Sequence, residues 1–249
     1  MKPSTNRFMG WRDLVITPLV EAGILILSLF SIFLLHRLCG GLSLFASAVL
    51  FYAAMVSWTL VVLKIIRTLF PFKEGVYSYV HYPLPCYIWN LHGLLCITNL
   101  GFQYINGFLP PPLRKPFYQL MGAKMGKGII SIGGRIAEPS LVILEENAMI
   151  GDDTLLTPHA ILPSDILVLG KIEIKKGAVI GAKSMIMPGV MVGEYAMVNA
   201  MSLVAMNTKI GDYEIWGGNP AKKIGEVPRP RDEQIKSKLK EEERVLSEP

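Results

Sequence analysis

The sequence predicts two membrane-crossing α-helices, then an all-β parallel β-helix, then a short C-terminal helix. Three observations carry that reading. Two apolar runs near the N-terminus reach bilayer length, and an apolar residue then recurs at every sixth position from Leu144 to Trp216. The last residues, Arg231 to Leu246, mix both charge signs and place Ile235 and Leu239 about one helical turn apart. The chain divides accordingly into 1–67 for the two spans, 68–119 for an interfacial helix and linker, 120–226 for the β-helix, and 227–249 for a charged tail.

Hydrophobic residues make up 51% of the chain and mean hydropathy is +0.39, too apolar for a wholly water-solvated protein. Leu14–Leu35 is apolar apart from Glu21 and a few hydroxyl residues, and Leu42–Leu63 carries no charge, so each fits the ~20 residues of a spanning helix. Lys2, Arg7 and Arg12 precede the first span and Lys64, Arg67 and Lys73 end or follow the second, while the loop between offers only Arg37. Both termini are therefore expected on the cytoplasmic side of an inner membrane. Glu21 reads as a carboxylate that snorkels or meets an arginine. Tyr87–Leu109 mixes apolar residues with Asn90, His92, Asn99 and Gln103, which suggests a helix lying in the interface. Pro110, Pro111 and Pro112 should end the helical region and begin a linker.

The net charge of +5 does not gather on one face with interleaved aromatics, so no nucleic-acid partner is expected. Cys39, Cys86 and Cys96 form no CxxC pair and no histidine spacing accompanies them, so neither a disulfide nor a metal is indicated.

The repeat markers are Leu144, Ile150, Leu156, Leu162, Val168, Ile174, Ile180, Ile186, Val192, Val198, Val204, Ile210 and Trp216. Small residues such as Ala148, Thr154, Ala178, Ser184 and Ala196 follow four places later, and glycine often follows the marker directly. Each hexad supplies one short strand and one corner, and three hexads close one triangular coil whose interior holds the marker and the small residue. Coils stack at about 4.8 Å, so residues eighteen apart share a column. Ile132 fits the phase but Glu138 does not, which predicts an irregular first coil between Gly122 and Pro139.

These hexads resemble those of the hexapeptide-repeat acyltransferases. Trp216-Gly217-Gly218-Asn219-Pro220-Ala221-Lys222 is similar to the closing signature of galactoside and xenobiotic O-acetyltransferases. Leu156–Asp165 resembles the histidine-bearing stretch of a membrane-associated branch related to the C-terminal part of certain peptide synthetases. The resemblance covers about Leu120 to Glu226. It implies a left-handed coil, an exception to the usual crossover hand. It also implies an acyl-CoA donor, acetyl-CoA among the candidates, with no permanently bound cofactor, and a homotrimer with donor slots between prisms.

Acyl transfer from a thioester needs a base for the acceptor and a slot for pantetheine. His159 is the one histidine of the repeat half, and its imidazole suits a general base near neutral pH. A solvated corner residue is the bland alternative. Eighteen-residue stacking would put Gly177 beside His159 as a notch, with Tyr195 and Tyr213 beyond it. By resemblance, backbone near Gly181 and Ala182, with Asn199, Trp216 and Asn219, would wall the pantetheine, while Lys222 and Lys223 would meet phosphates.

The expected activity is transfer of an acyl group, acetyl in the first instance, to a hydroxyl of a membrane-associated glycan or lipid-linked acceptor. N-acylation of an amino sugar uses the same base. A non-catalytic anchored scaffold is the competing reading; a zinc-dependent β-helix enzyme would need three interface histidines, and this half has one.

Overall fold

The computed structural model describes residues 10–101, 109–129 and 132–228. Two long helices open it, α1 (Trp11–Leu38) and α2 (Leu44–Leu69), joined by a short turn and packed side by side. Both are long and apolar enough to cross a membrane, and their outward residues, Leu14, Leu19, Phe30, Phe33 and Phe45 among them, stand exposed. Trp58 Nε1 on α2 donates to Ser31 Oγ on α1 at 3.0 Å, a polar tie inside an otherwise apolar pair.

A third helix, α3 (Leu84–Asn99), has Pro85 in its first turn and buries Cys86, Tyr87, Ile88, Leu91, His92, Leu95, Cys96 and Asn99 along one face. It lies against α1 and α2 and reaches the repeat half. The stretch expected to float in an interface is thus a packing helix that ends at Asn99; residues 102–108 lie outside the described ones. Glu21 neither snorkels nor meets an arginine. Its Oε1 accepts from Thr98 Oγ1 and its Oε2 from Asn99 Nδ2, each at 2.9 Å, so both oxygens fasten the C-terminal end of α3 to α1.

Pro111 and Pro112 begin a helix rather than a linker. Prolines are tolerated in a first turn because those N–H groups lack helical partners. This ten-residue α4 (Pro111–Leu120) covers the open end of the β-helix. Arg114 Nη1 donates to the Ile132 carbonyl at 2.8 Å and Lys115 Nζ to that of Gly126 at 2.6 Å, satisfying backbone an uncapped coil would leave bare.

Three parallel sheets make the prism. One stacks Lys124–Met125, Val142–Leu144, Ile172–Ile174, Met191–Val192 and Lys209–Ile210. The second stacks Met149–Ile150, Val179–Ile180, Met197–Val198 and Glu214–Gly218, with Ala221–Glu226 returning antiparallel on its edge. The third stacks Arg135–Ile136, Leu155–Leu156, Met185–Ile186 and Leu203–Val204. Leu144, Ile150, Leu156, Ile174, Ile180, Ile186, Val192, Val198, Val204 and Ile210 are all buried, as are Ala148, Thr154, Ala178, Ser184, Ala196 and Ser202 beside them. The glycines that follow the markers serve close stacking: a Cβ on Gly181 would lie 2.3 Å from the Ala200 nitrogen of the next coil.

Two markers do not belong to the prism. Leu162 and Val168 sit in an antiparallel hairpin, His159–Leu162 against Ile166–Leu169, which projects from a corner and is joined by a strand from the helical half, Gly75–Ser78. The register shows the insertion. Met149 pairs with Val179, thirty residues on, whereas Val179 pairs with Met197 at the regular eighteen. The extra twelve residues equal two hexads, so the six-residue phase passes through them unchanged. The irregular first coil expected before Pro139 is present, with Ile136 rather than residue 138 paired to Leu156. The helix expected over Arg231–Leu246 lies outside the described residues.

Candidate active site

His159 begins the hairpin, where the chain leaves the prism after Thr157, and its side chain is 29% exposed. Its Nδ1 lies 2.8 Å from Glu138 Oε1, and Glu138 is nearly buried at the end of the first coil. An ionised carboxylate only accepts, so Nδ1 carries the proton and Nε2 keeps its lone pair. That is the tautomer a general base needs. Thr157 Oγ1 donates to the His159 carbonyl at 2.9 Å and fixes the backbone beneath the ring.

The helical half completes the cluster. Trp89 of α3 donates its Nε1 to the same Glu138 Oε1 at 2.9 Å, and its ring meets the imidazole edge-to-face with centroids 4.9 Å apart. The ring thus shields one face of His159 while the indole N–H keeps Glu138 pointed at it. Among the described residues no donor reaches the buried Glu138 Oε2. Behind the cluster His92 is buried; desolvation pushes its pKa down to about 4 against an opposing pull from Glu138, which keeps this second imidazole neutral.

The hairpin also displaces the column expected at His159. Gly177 does not adjoin the imidazole; its N–H bonds to Glu146 O, and the Tyr195 ring packs where its side chain would be, 2.5 Å from an added Cβ. Gly177, with φ +65°, therefore makes a left-handed turn under Tyr195, which stacks on Tyr213 at 5.3 Å. The other candidates gather on a second corner. Gly181 donates to Val198 O, Ala182 O accepts from Met201 N, and Asn199 N donates to Trp216 O. Trp216 Nε1 donates to Glu214 Oε2 at 2.8 Å, and Asn219 sits in the exposed turn between the last two strands. Lys223 is held by Glu214 and Glu226, whereas Lys222 has no ion-pair partner among the described residues. His159, the Gly177 group and the Gly181 group thus occupy three different corners of one prism.

The chain is similar in sequence to two curated proteins. The chain is 26% identical over 191 residues to delta-poly-L-ornithine synthetase of Acinetobacter baumannii, matching 77% of this chain but 14% of that protein. It is 45% identical over 58 residues to dTDP-3-amino-3,6-dideoxy-alpha-D-galactopyranose 3-N-acetyltransferase of Aneurinibacillus thermoaerophilus, 23% of this chain and 29% of that one. The repeat half is a parallel β-helix built on a six-residue repeat. A solved hexapeptide-repeat acetyltransferase of Vibrio cholerae is 16% identical, with a TM-score of 0.40 over 49% of this chain and 83% of that one. The chain spans less than a third of the length of the curated relatives it matches. No family model matches it. The first match is longer than residues 120–226, so the likeness to the synthetase reaches beyond the hexapeptide-repeat segment itself.

The sequence pointed to His159 and missed its partners. Glu138 carried one signal, a carboxylate at the point where the apolar series breaks. Trp89 carried none, being one of several aromatics in a helix with no repeat to place it.

Proposed function

We propose that the protein is a membrane-anchored acyltransferase that moves an acyl group, acetyl in the first instance, from acyl-CoA to a hydroxyl of a membrane-associated glycan or lipid-linked acceptor. The observation that carries the reading is the Glu138–His159 pair, with Nδ1 held and Nε2 available. Nε2 takes the acceptor proton as the acceptor oxygen bonds to the thioester carbonyl carbon; the tetrahedral intermediate then expels the thiolate, which recovers the proton from the imidazolium. No covalent acyl-enzyme is needed. Transfer to an amine follows the same steps, and the similarity to a sugar N-acetyltransferase favours it as the second reading.

Donor binding is assigned to a homotrimer. The Gly181, Ala182, Asn199 and Trp216 corner lies apart from His159 within one prism, so a neighbouring prism is the element that can bring the two together. Asn219 and Lys222 extend the same donor wall, with Lys222 free to meet phosphate; Gly177 and Tyr195 support the adjoining corner. The full chain in detergent should scatter light as a trimer and bind acetyl-CoA with one site per subunit interface. A monodisperse monomer that turns over acyl-CoA would refute the interfacial site.

Both termini are assigned to the cytoplasmic side of the inner membrane, where coenzyme A thioesters are made. Reporter fusions at Pro249 should be active only in cytoplasmic-sensing form. Activity confined to the opposite compartment would remove the donor from reach of His159.

A further inference from the structure

Gly93 stands in the middle of α3, where glycine costs a helix about 1 kcal/mol relative to alanine. No contact requires it. Its backbone is helical, and a Cβ built on it meets nothing within 4 Å. The space left belongs to a cavity of about 340 Å³ between α1 and α3, lined by Asp13, Thr17, Trp89, Leu91, Leu94 and Ile97. That volume falls at the low end of ligand sites, roughly 300 to 1,000 Å³.

The cavity has an apolar rim. Leu94 and Ile97 at the rim are 41% and 58% exposed, and the opposite wall is Asp13 and Thr17 of α1, a helix long and apolar enough to cross a bilayer, with Asn90 the other polar residue of the lining. No basic side chain lines the space, and the one charged group there, Asp13, is negative and already accepts from Gly10 N and Tyr82 Oη. A phosphate-bearing group is therefore disfavoured inside it, which leaves the nucleotide of the donor elsewhere. At its inner end the cavity is closed by Trp89, the same ring that packs on His159 and bonds Glu138.

We propose that this cavity holds the hydrocarbon chain of a membrane-dissolved acceptor, so that the acceptor's hydroxyl or amine emerges past Trp89 at His159 Nε2. The inference rests on the acyl-transfer reading above. Gly93 is then a specificity position: the missing side chain is the room the chain occupies.

The test uses the full chain in lipid nanodiscs with a dodecyl glucoside carrying a diazirine on its alkyl chain. After photolysis, peptide mapping should find adducts at Thr17, Trp89 or Leu94, and Gly93→Leu should lower them about tenfold. Ile97→Trp, which closes the rim from the surface, should do the same if Gly93→Leu folds poorly. Acetyl-CoA binding, measured calorimetrically, is the independent arm. Adducts confined to outward residues such as Leu14, Val15 and Phe45, or cavity adducts that a folded Gly93→Leu leaves unchanged, overturn the proposal even where acetyl-CoA binds. Competition of the adducts by a long-chain acyl-CoA but not by unlabelled dodecyl glucoside would overturn it too, by assigning the cavity to the donor. Cavity adducts in a protein that binds no acetyl-CoA would instead sink the acyl-transfer reading and leave the lipid site standing.

Discussion

His159→Ala should leave a folded protein that binds acetyl-CoA with nearly unchanged affinity and transfers the acyl group about 10²- to 10⁴-fold more slowly. Glu138→Gln is the sharper experiment. The amide keeps the shape of the side chain but can present an N–H to Nδ1, which favours the tautomer with the proton on Nε2, the wrong nitrogen for a base. In the serine-protease triad the equivalent carboxylate-to-amide change lowers kcat by about 10⁴, and a loss of the same order, at unchanged acetyl-CoA affinity, is expected here. Single-turnover rates with saturating donor would read both variants. Full activity in Glu138→Gln would reduce the 2.8 Å contact to a structural one and remove the basis for assigning Nε2 as the base.

The second large effect concerns the prism. Ile180 and Val198 are fully buried and paired to each other across adjacent coils. Ile180→Asp or Val198→Asp places a carboxylate in a dry interior with no partner, at a cost of several kcal/mol. Loss of the cooperative thermal transition is the expected result. A native-like melting curve for either variant would mean these residues do not point inward.

How far the sequence could be read follows from what each feature leaves in a linear pattern. Coil-forming residues repeat because every coil meets the same neighbours, so Leu144 to Leu156 and Ile174 to Ile210 could be placed without structure. The hairpin was invisible for the same reason: twelve inserted residues preserve a six-residue phase, and Leu162 and Val168 scored as coil positions although they lie in the two strands of the hairpin. That hidden insertion moved His159 away from Gly177. His159 stood out as the one histidine of the repeat half and by the resemblance of the stretch around it, but the residues that touch its ring come from two unrelated places. Glu138 ends the first coil and Trp89 sits on a helix seventy residues upstream, and contacts over such separations leave no spacing to find. Glu21 illustrates the same limit, since its partner Asn99 was read as an interfacial polar residue and Thr98 was not singled out at all.

The two-hexad hairpin has a consequence for how such a protein can change. Its ends meet at the corner, where Gly170 N bonds to Pro158 O, and the strands on either side stack on Ile186 and Val190 as though nothing intervened. His159 is therefore carried on an excursion that leaves the stacking of the coils on either side undisturbed and touches the first coil through Glu138. Cassettes of other lengths or sequences, entering and leaving through the same narrow neck, would leave every interior contact of the prism in place. One prism can in this way present different side chains at the same corner by exchanging a single excursion of chain, with the stability of the stack and the chemistry at that corner free to vary separately.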